Sequence, residues 1–282
     1  MSALLTLRLA AALAAVLITL TARAQAPAAS SNAALARETS DPTSDLWYLF
    51  TEADLSFSGA QPFRQSNQWT LELQPSLPVT LTRSWRLLNY PDLLLSSQGT
   101  PGGTQITGVE GFSWLAALSP AARPVGFAWG AGPYVDFPVE TSSGFGPSQW
   151  QAGPGAVLAW RSESFVLSAL IKAGWTTGGG GGEAGSLQLQ YNIQHFFGDG
   201  MQIGLGRPRI EYRWNRDGSG AWDVPVGVDI GRMFHVGPLP VKILLEYDFF
   251  VLNDSRWEPE HLFRITFIPV FPSPLRGPLF GW

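Results

Sequence analysis

The sequence predicts an all-β chain: a transmembrane antiparallel β-barrel of about twelve strands. Three observations carry this. Apolar and polar residues alternate with period two through segment after segment. The segments run ten residues or more, where ordinary strands run about 5–6 and tilted membrane strands need about 9–11. The connections between them alternate between short and long, the layout of a barrel with tight turns at one end and loops at the other.

Residues 1–24 read as a secretory signal. Arg8 gives the positive region, residues 9–20 the short apolar core, and Ala22-Arg23-Ala24 the cleavage site. Residues 25–44 are small and polar and read as a flexible periplasmic leader. Residues 45–271 form the barrel, and 272–282 a C-terminal tail.

The alternation is clearest over 186–197, where Leu187, Leu189, Tyr191 and Ile193 share one face and Gln188, Gln190, Asn192 and Gln194 the other. Val241, Ile243, Leu245, Tyr247 and Phe249 oppose Lys242, Glu246 and Asp248 in the same way. Strands are expected at 46–58, 68–81, 85–97, 107–119, 124–138, 150–161, 164–177, 185–197, 200–214, 221–234, 239–252 and 260–271. The long loops between them include the glycine run 178–182. Trp47, Trp85 and Trp160 fall near the short turns, and Trp69, Trp150, Trp175, Trp214 and Trp222 near the long loops. Two aromatic girdles are what a barrel sets at its two lipid–water interfaces.

Prolines 75, 91, 133, 154, 208, 225 and 269 lie inside these strands although proline cannot donate to a ladder. Some are expected at bulges. Around Gly206-Arg207-Pro208 the parity flips, from Ile203 and Leu205 to Ile210 and Tyr212, and a bulge there would restore one apolar face.

Composition excludes other classes. Only 14% of residues are charged against 45% hydrophobic, with pI near 5.4, which argues against disorder and against nucleic-acid binding. With no cysteine there is no disulfide framework. No H-E-x-x-H, G-x-S-x-G or G-K-[ST] motif is present, so neither a metal nor a cofactor is implied. Only three histidines occur, His195, His235 and His261. His261, with Asp254 and Ser255 nearby in sequence, is the weak opening for a barrel enzyme of lipase or protease type.

By parity the inward charges are Glu52, Asp54, Glu72, Asp136, Lys172, Arg209, Glu211, Arg213, Asp223, Asp229, Lys242, Glu246, Asp248 and Arg264. On the lipid face a midplane Arg or Lys would cost about 2–4 kcal/mol, so these residues should line the lumen. Loop lengths suggest Arg213 opposite Asp223, Arg207 near Asp229, Asp248 opposite Arg264, and Arg264 beside Asp54 where the barrel closes.

Trp85-Arg86-Leu87-Leu88, residues 126–138 (GFAWGAGPYVDFP), 149–159 (QWQAGPGAVLA), 187–197, 222–231 (WDVPVGVDIG) and 262–271 resemble a family of bacterial outer-membrane barrels linked to the meta-pathway (MetA-pathway) of phenol degradation and to transport. The resemblance spans most of the chain after residue 45 and brings no catalytic motif. It implies an outer-membrane pore passing small hydrophobic or aromatic compounds. The chain departs from that family in its tail: Phe271 and Trp282 both qualify as the closing aromatic that the barrel-insertion machinery reads.

The reading is therefore a monomeric channel of the Gram-negative outer membrane, both termini periplasmic. Its partners are lipids, the insertion machinery and a small solute. A barrel enzyme and a structural barrel with a plugged lumen are the alternatives. A barrel resists detergent until boiled, so purified protein should shift on a denaturing gel after heating; identical migration of boiled and unboiled samples would sink the fold.

Overall fold

The structure is a computed structural model. It describes residues 31–57, 68–99, 104–123, 125–142, 145, 149–179, 185–214, 218–253, 260–275 and 277–280. The secretory signal and the loop residues Asp254 and Ser255 lie outside these.

A short helix, α1 (Asn32–Glu38), precedes fourteen strand segments. They are β1 (Trp47–Phe57), β2 (Gln68–Ser76), β3 (Val79–Thr80), β4 (Trp85–Gly99), β5 (Gln105–Pro120), β6 (Gly126–Phe137) and β7 (Gln149–Arg161). After these come β8 (Phe165–Gly179), β9 (Gly185–Phe197), β10 (Met201–Gly204), β11 (Arg209–Arg213), β12 (Trp222–Val236), β13 (Leu239–Leu252) and β14 (His261–Phe271). β2 with β3, and β10 with β11, are single staves interrupted once, so the closed antiparallel barrel has twelve staves. Each pairs with its sequence neighbours, and β14 returns to β1 with Asp54 opposite Arg264.

Period two decides which side each residue faces. Along β12, Val226, Val228 and Ile230 are exposed while Gly227, Asp229 and Gly231 are buried. Leu245, Phe263, Ile265 and Phe267 continue the exposed belt on β13 and β14. So broad an apolar surface suits lipid, where a closed sheet leaves no backbone group unpaired.

Trp69, Trp85, Trp150, Trp160, Trp175 and Trp222 are exposed at strand ends. Trp47 donates its indole N–H to the Pro78 carbonyl at 2.9 Å, and Trp214 to Gly174 at 3.1 Å while stacking on Trp175. An indole with one apolar face and one satisfied donor fits an interface.

Four of the in-strand prolines are accommodated in opposed pairs. Pro133 faces Pro154 across β6 and β7. Their missing donors point to the outer neighbours, and there the ladders break. β5–β6 passes from Leu115↔Tyr134 to Leu118↔Ala131, and β7–β8 from Ala152↔Trp175 to Gly155↔Lys172. Pro75 and Pro91 sit in a gap of the second stave against β4, between Leu73↔Leu93 and Val79↔Leu87. Pro225 marks a register shift, and Pro208 lies in the break between β10 and β11. That break is the bulge anticipated from parity. β10 pairs Met201 with Phe197, whereas β11 pairs Arg209 with Gln190, one residue out of step. Gly206 makes the turn at φ +74°, and a Cβ there would lie 2.3 Å from the Glu246 carboxylate, so only glycine fits.

The N-terminal segment departs from expectation. Residues 31–44 were expected within a flexible leader, yet here they enter the short-turn end of the barrel and pack there. Ser31 caps α1 by accepting from the Ala34 N–H at 3.2 Å. Leu35 and Ala36 bury against Phe196, Met233 and Leu244. Small polar residues suit the site because their carbonyls and hydroxyls satisfy lumen donors.

The tail turns back from β14. The Leu279 and Phe280 N–H groups donate to the Thr80 and Leu81 carbonyls at 3.0 and 2.8 Å. Phe271, opposite Trp47, is the last residue in the ladder.

Gly132 lies where a Cβ would come 1.9 Å from the Ala116 carbonyl oxygen on the neighbouring strand. Gly132→Ala should cost about 1–3 kcal/mol, read as a lower urea midpoint in detergent. An unchanged midpoint would contradict this tight strand approach.

Candidate functional site: a charged lumen above an N-terminal plug

The lumen is built in layers. At the short-turn end, residues 39–44 lie among inward side chains. Lys242 donates to Ser40 Oγ at 2.7 Å and to the Ala36 carbonyl at 3.3 Å. Asn192 donates to the Ser40 carbonyl at 3.0 Å. Asp41 is fully buried and ion-paired with Arg123 at 2.8 Å and Arg161 at 3.2 Å. Arg123, in the turn after β5, also meets Glu38 at 2.8 Å. Burial alone would lower its pKa; the Glu38, Asp41 and Asp45 carboxylates outweigh that and raise it, so its charge is fixed. Arg86 bonds Asp45, and the Tyr90 hydroxyl donates to the Pro42 carbonyl. The plug is thus tied to the wall by polar contacts on several strands.

Above it Arg207 crosses the lumen. The bulge turns its side chain inward, where it reaches Glu52 on β1 at 2.6 Å and the Gln74 and Gln190 amide oxygens at 3.1 Å each. Its guanidinium lies 3.7 Å over the Phe50 ring. β1 and β2 are not sheet neighbours of β10 and β11, so these contacts span the interior. Arg264 makes the companion cluster at the closing seam. It forks onto Asp54 at 2.8 and 2.9 Å, meets Glu246 at 3.2 Å and Glu52 at 3.6 Å, and lies 3.9 Å from Asp248. A planar fork among several carboxylates is a role lysine could not fill.

Toward the long loops Arg209 grips Glu72 at 3.1 and 3.2 Å. Lys172 donates to Asp92 at 3.2 Å and to Ser113 at 3.3 Å. Asp136 accepts from the Tyr134 hydroxyl at 3.5 Å. Arg213 joins Asp223 at 2.6 Å and Glu211 at 3.4 Å; Asp229 lies lower, near the plug layer, where it accepts from Gln194 at 2.6 Å. Two adjoining cavities open in this upper half. One, of about 270 Å³, has Asp54, Glu72, Arg207 and Arg264 in its wall. The other, of about 150 Å³, has Asp92, Asp136 and Lys172. Glu110 and Arg209 line both. Below the Arg207 layer, against the plug, the void shrinks to about 30 Å³.

Three register expectations need correction. Arg264 lies opposite Glu246, and Asp248 opposite Leu262. Arg213 is offset from Asp223, which pairs with Glu211. Both shifts are by two residues, which keeps every side chain on its face, so the ion pairs survive as diagonals. Arg207 does not meet Asp229, because the bulge carries it across the lumen to Glu52. Arg264 beside Asp54 is as expected.

Sequence reasoning overlooked Asp92 and Glu110. On β4 the inward Leu88 and Tyr90 join an internal apolar cluster with Leu115, Val157 and Leu170, so both faces of that strand are apolar and alternation gave no sign of Asp92. Glu110 is the extra residue of a bulge between Val109 and Gly111. His261 Nδ1 lies 2.8 Å from the Tyr247 hydroxyl, with Phe249 beside the ring.

Compared by sequence, the chain matches no family model and no curated protein. Compared by structure, it shares its fold with an outer-membrane channel from Pseudomonas putida F1. The TM-score is 0.57 at 14% identity, over 80% of this chain and 94% of that one. The NanC porin aligns at TM-score 0.49 and 9% identity, over 79% and 99%. Outer membrane phospholipase A from Escherichia coli aligns at 0.45 and 11%, over 87% and 99%. The fold is that of an outer-membrane barrel.

Removing Arg207 would leave Glu52 buried without its closest counter-charge. Arg207→Met should cost about 3–5 kcal/mol in the detergent-solubilised barrel, and adding Glu52→Gln should restore most of it. A double variant as unstable as the single would show that the pair does not hold this layer.

Proposed function

We propose that the protein is an outer-membrane channel through which small solutes move passively, entering from the long-loop side. The observation that carries this is the pair of adjoining polar cavities in the upper half of the barrel. A vestibule walled by oriented charges is how a pore selects among solutes. In this reading residues 1–24 direct export, the short turns and both termini face the periplasm, and the inward charges form the permeation path.

The polar walls favour a solute that carries hydrogen-bonding groups. The resemblance to phenol-degradation barrels points to aromatic solutes. Phe112 and Tyr134 line the smaller cavity and Phe250 the larger; aromatic residues beside charges suit a hydroxylated or charged aromatic better than a bare hydrocarbon.

The N-terminal segment fills the far end, so through-passage requires it to shift. That filling also favours a second reading, a structural barrel with a closed lumen. Conductance across a planar bilayer separates the two. The full chain should pass small or intermittent current, and deleting residues 31–44 should raise it several-fold. If neither form conducts, the closed-barrel reading stands and the channel fails.

A further inference from the structure

We propose that the vestibule contains a subsite for a small organic cation, centred on Glu110 and Asp92; the proposal rests on the channel reading for its role in transport.

The bulge in β5 is the first observation. Leu94 pairs with Gly111 and Leu95 with Val109, so Glu110 has no partner across the strand. Unbroken alternation would send residue 110 outward with Phe112 and Trp114, where an acidic group would meet lipid. The inserted residue re-aims the carboxylate into the lumen. It lines both cavities, makes no ion pair among the described residues, and its Oε2 is buried without a hydrogen-bond partner.

Asp92 is the second. It is 7% exposed and lines the smaller cavity. Lys172 donates to its Oδ2 at 3.2 Å, with Gln74 at 3.4 Å and Arg209 at 3.9 Å from the same oxygen, while Oδ1 has no partner. Three carboxylates, Asp92, Glu110 and Asp136, share this wall with only two cations, Lys172 and Arg209. Both cations are already engaged, Lys172 by Asp92 and Ser113, Arg209 by the fork of Glu72.

The site therefore holds more carboxylates than cations, and acceptor oxygens of Asp92 and Glu110 that have no partner. A primary ammonium supplies both a positive charge and three N–H donors. The Tyr134 ring in the same wall already has the Lys172 ammonium 5.5 Å from its centroid, so an ammonium is accommodated beside it.

The probes are benzylammonium and benzoate, alike in ring and opposite in charge. Calorimetric titration of the full barrel in detergent should show benzylammonium bound and benzoate not. Glu110→Gln should weaken benzylammonium about tenfold, roughly the loss of one charge-assisted hydrogen bond, and Glu110→Asp should weaken it less. Benzoate binding as tightly as benzylammonium, or a Glu110→Gln variant with unchanged affinity, would overturn the subsite. Heat-modifiable migration confirms that each variant is folded. Bilayer current tests the channel separately: a barrel that binds benzylammonium but passes no current keeps the subsite and loses the channel.

Discussion

The barrel depends on one constraint. In the apolar layer every backbone N–H and C=O must find its partner within the protein. An antiparallel sheet meets this only by closing on itself, and closure fixes the rest. Each stave must pair on both sides, so every second side chain faces lipid and the others face a narrow interior. The charges cannot leave that interior, and most of them pair across it. The Arg264 cluster at the seam and the Arg207 bridge through the centre are two outcomes of this confinement. The plug is a third. Its backbone and small polar side chains answer donors such as Lys242 and Asn192 that the wall leaves over.

The parts of this architecture set by period two were legible in the sequence. The twelve staves, the belt of outward residues such as Val228 and Phe263, and the bulge at Gly206 all follow from the parity of apolar positions. Ion-pair partners were less legible. A register shift of two residues is invisible to alternation, which is how Arg264 came to face Glu246 in place of Asp248. Bulges hide residues in a different way: Glu110 falls in the lipid-facing series if one counts straight through it. A lone carboxylate in an otherwise apolar series is itself the signal that the count has slipped.

The plug was illegible for another reason. Residues 31–44 show no strong periodicity, and small polar composition reads as a linker. Only the capping serine at 31, followed by helix formers, hinted at order. What stabilises the segment is the set of partners waiting in the lumen, contributed by residues spread along the barrel from Arg86 to Lys242. Local sequence carries no record of those.

The seam has a consequence for how the molecule is made. Asp54 and Arg264 stand 210 positions apart in the chain and adjacent in the wall. The partner of β1 is thus β14, so this ring cannot close until β14 has been made. Until β14 arrives, the growing sheet has two open edges whose unpaired backbone groups invite pairing with other chains. Contacts so distant along the chain make closure slow. The interval between export and closure is therefore when this polypeptide is most exposed to misassembly, and shielding its edges matters most then.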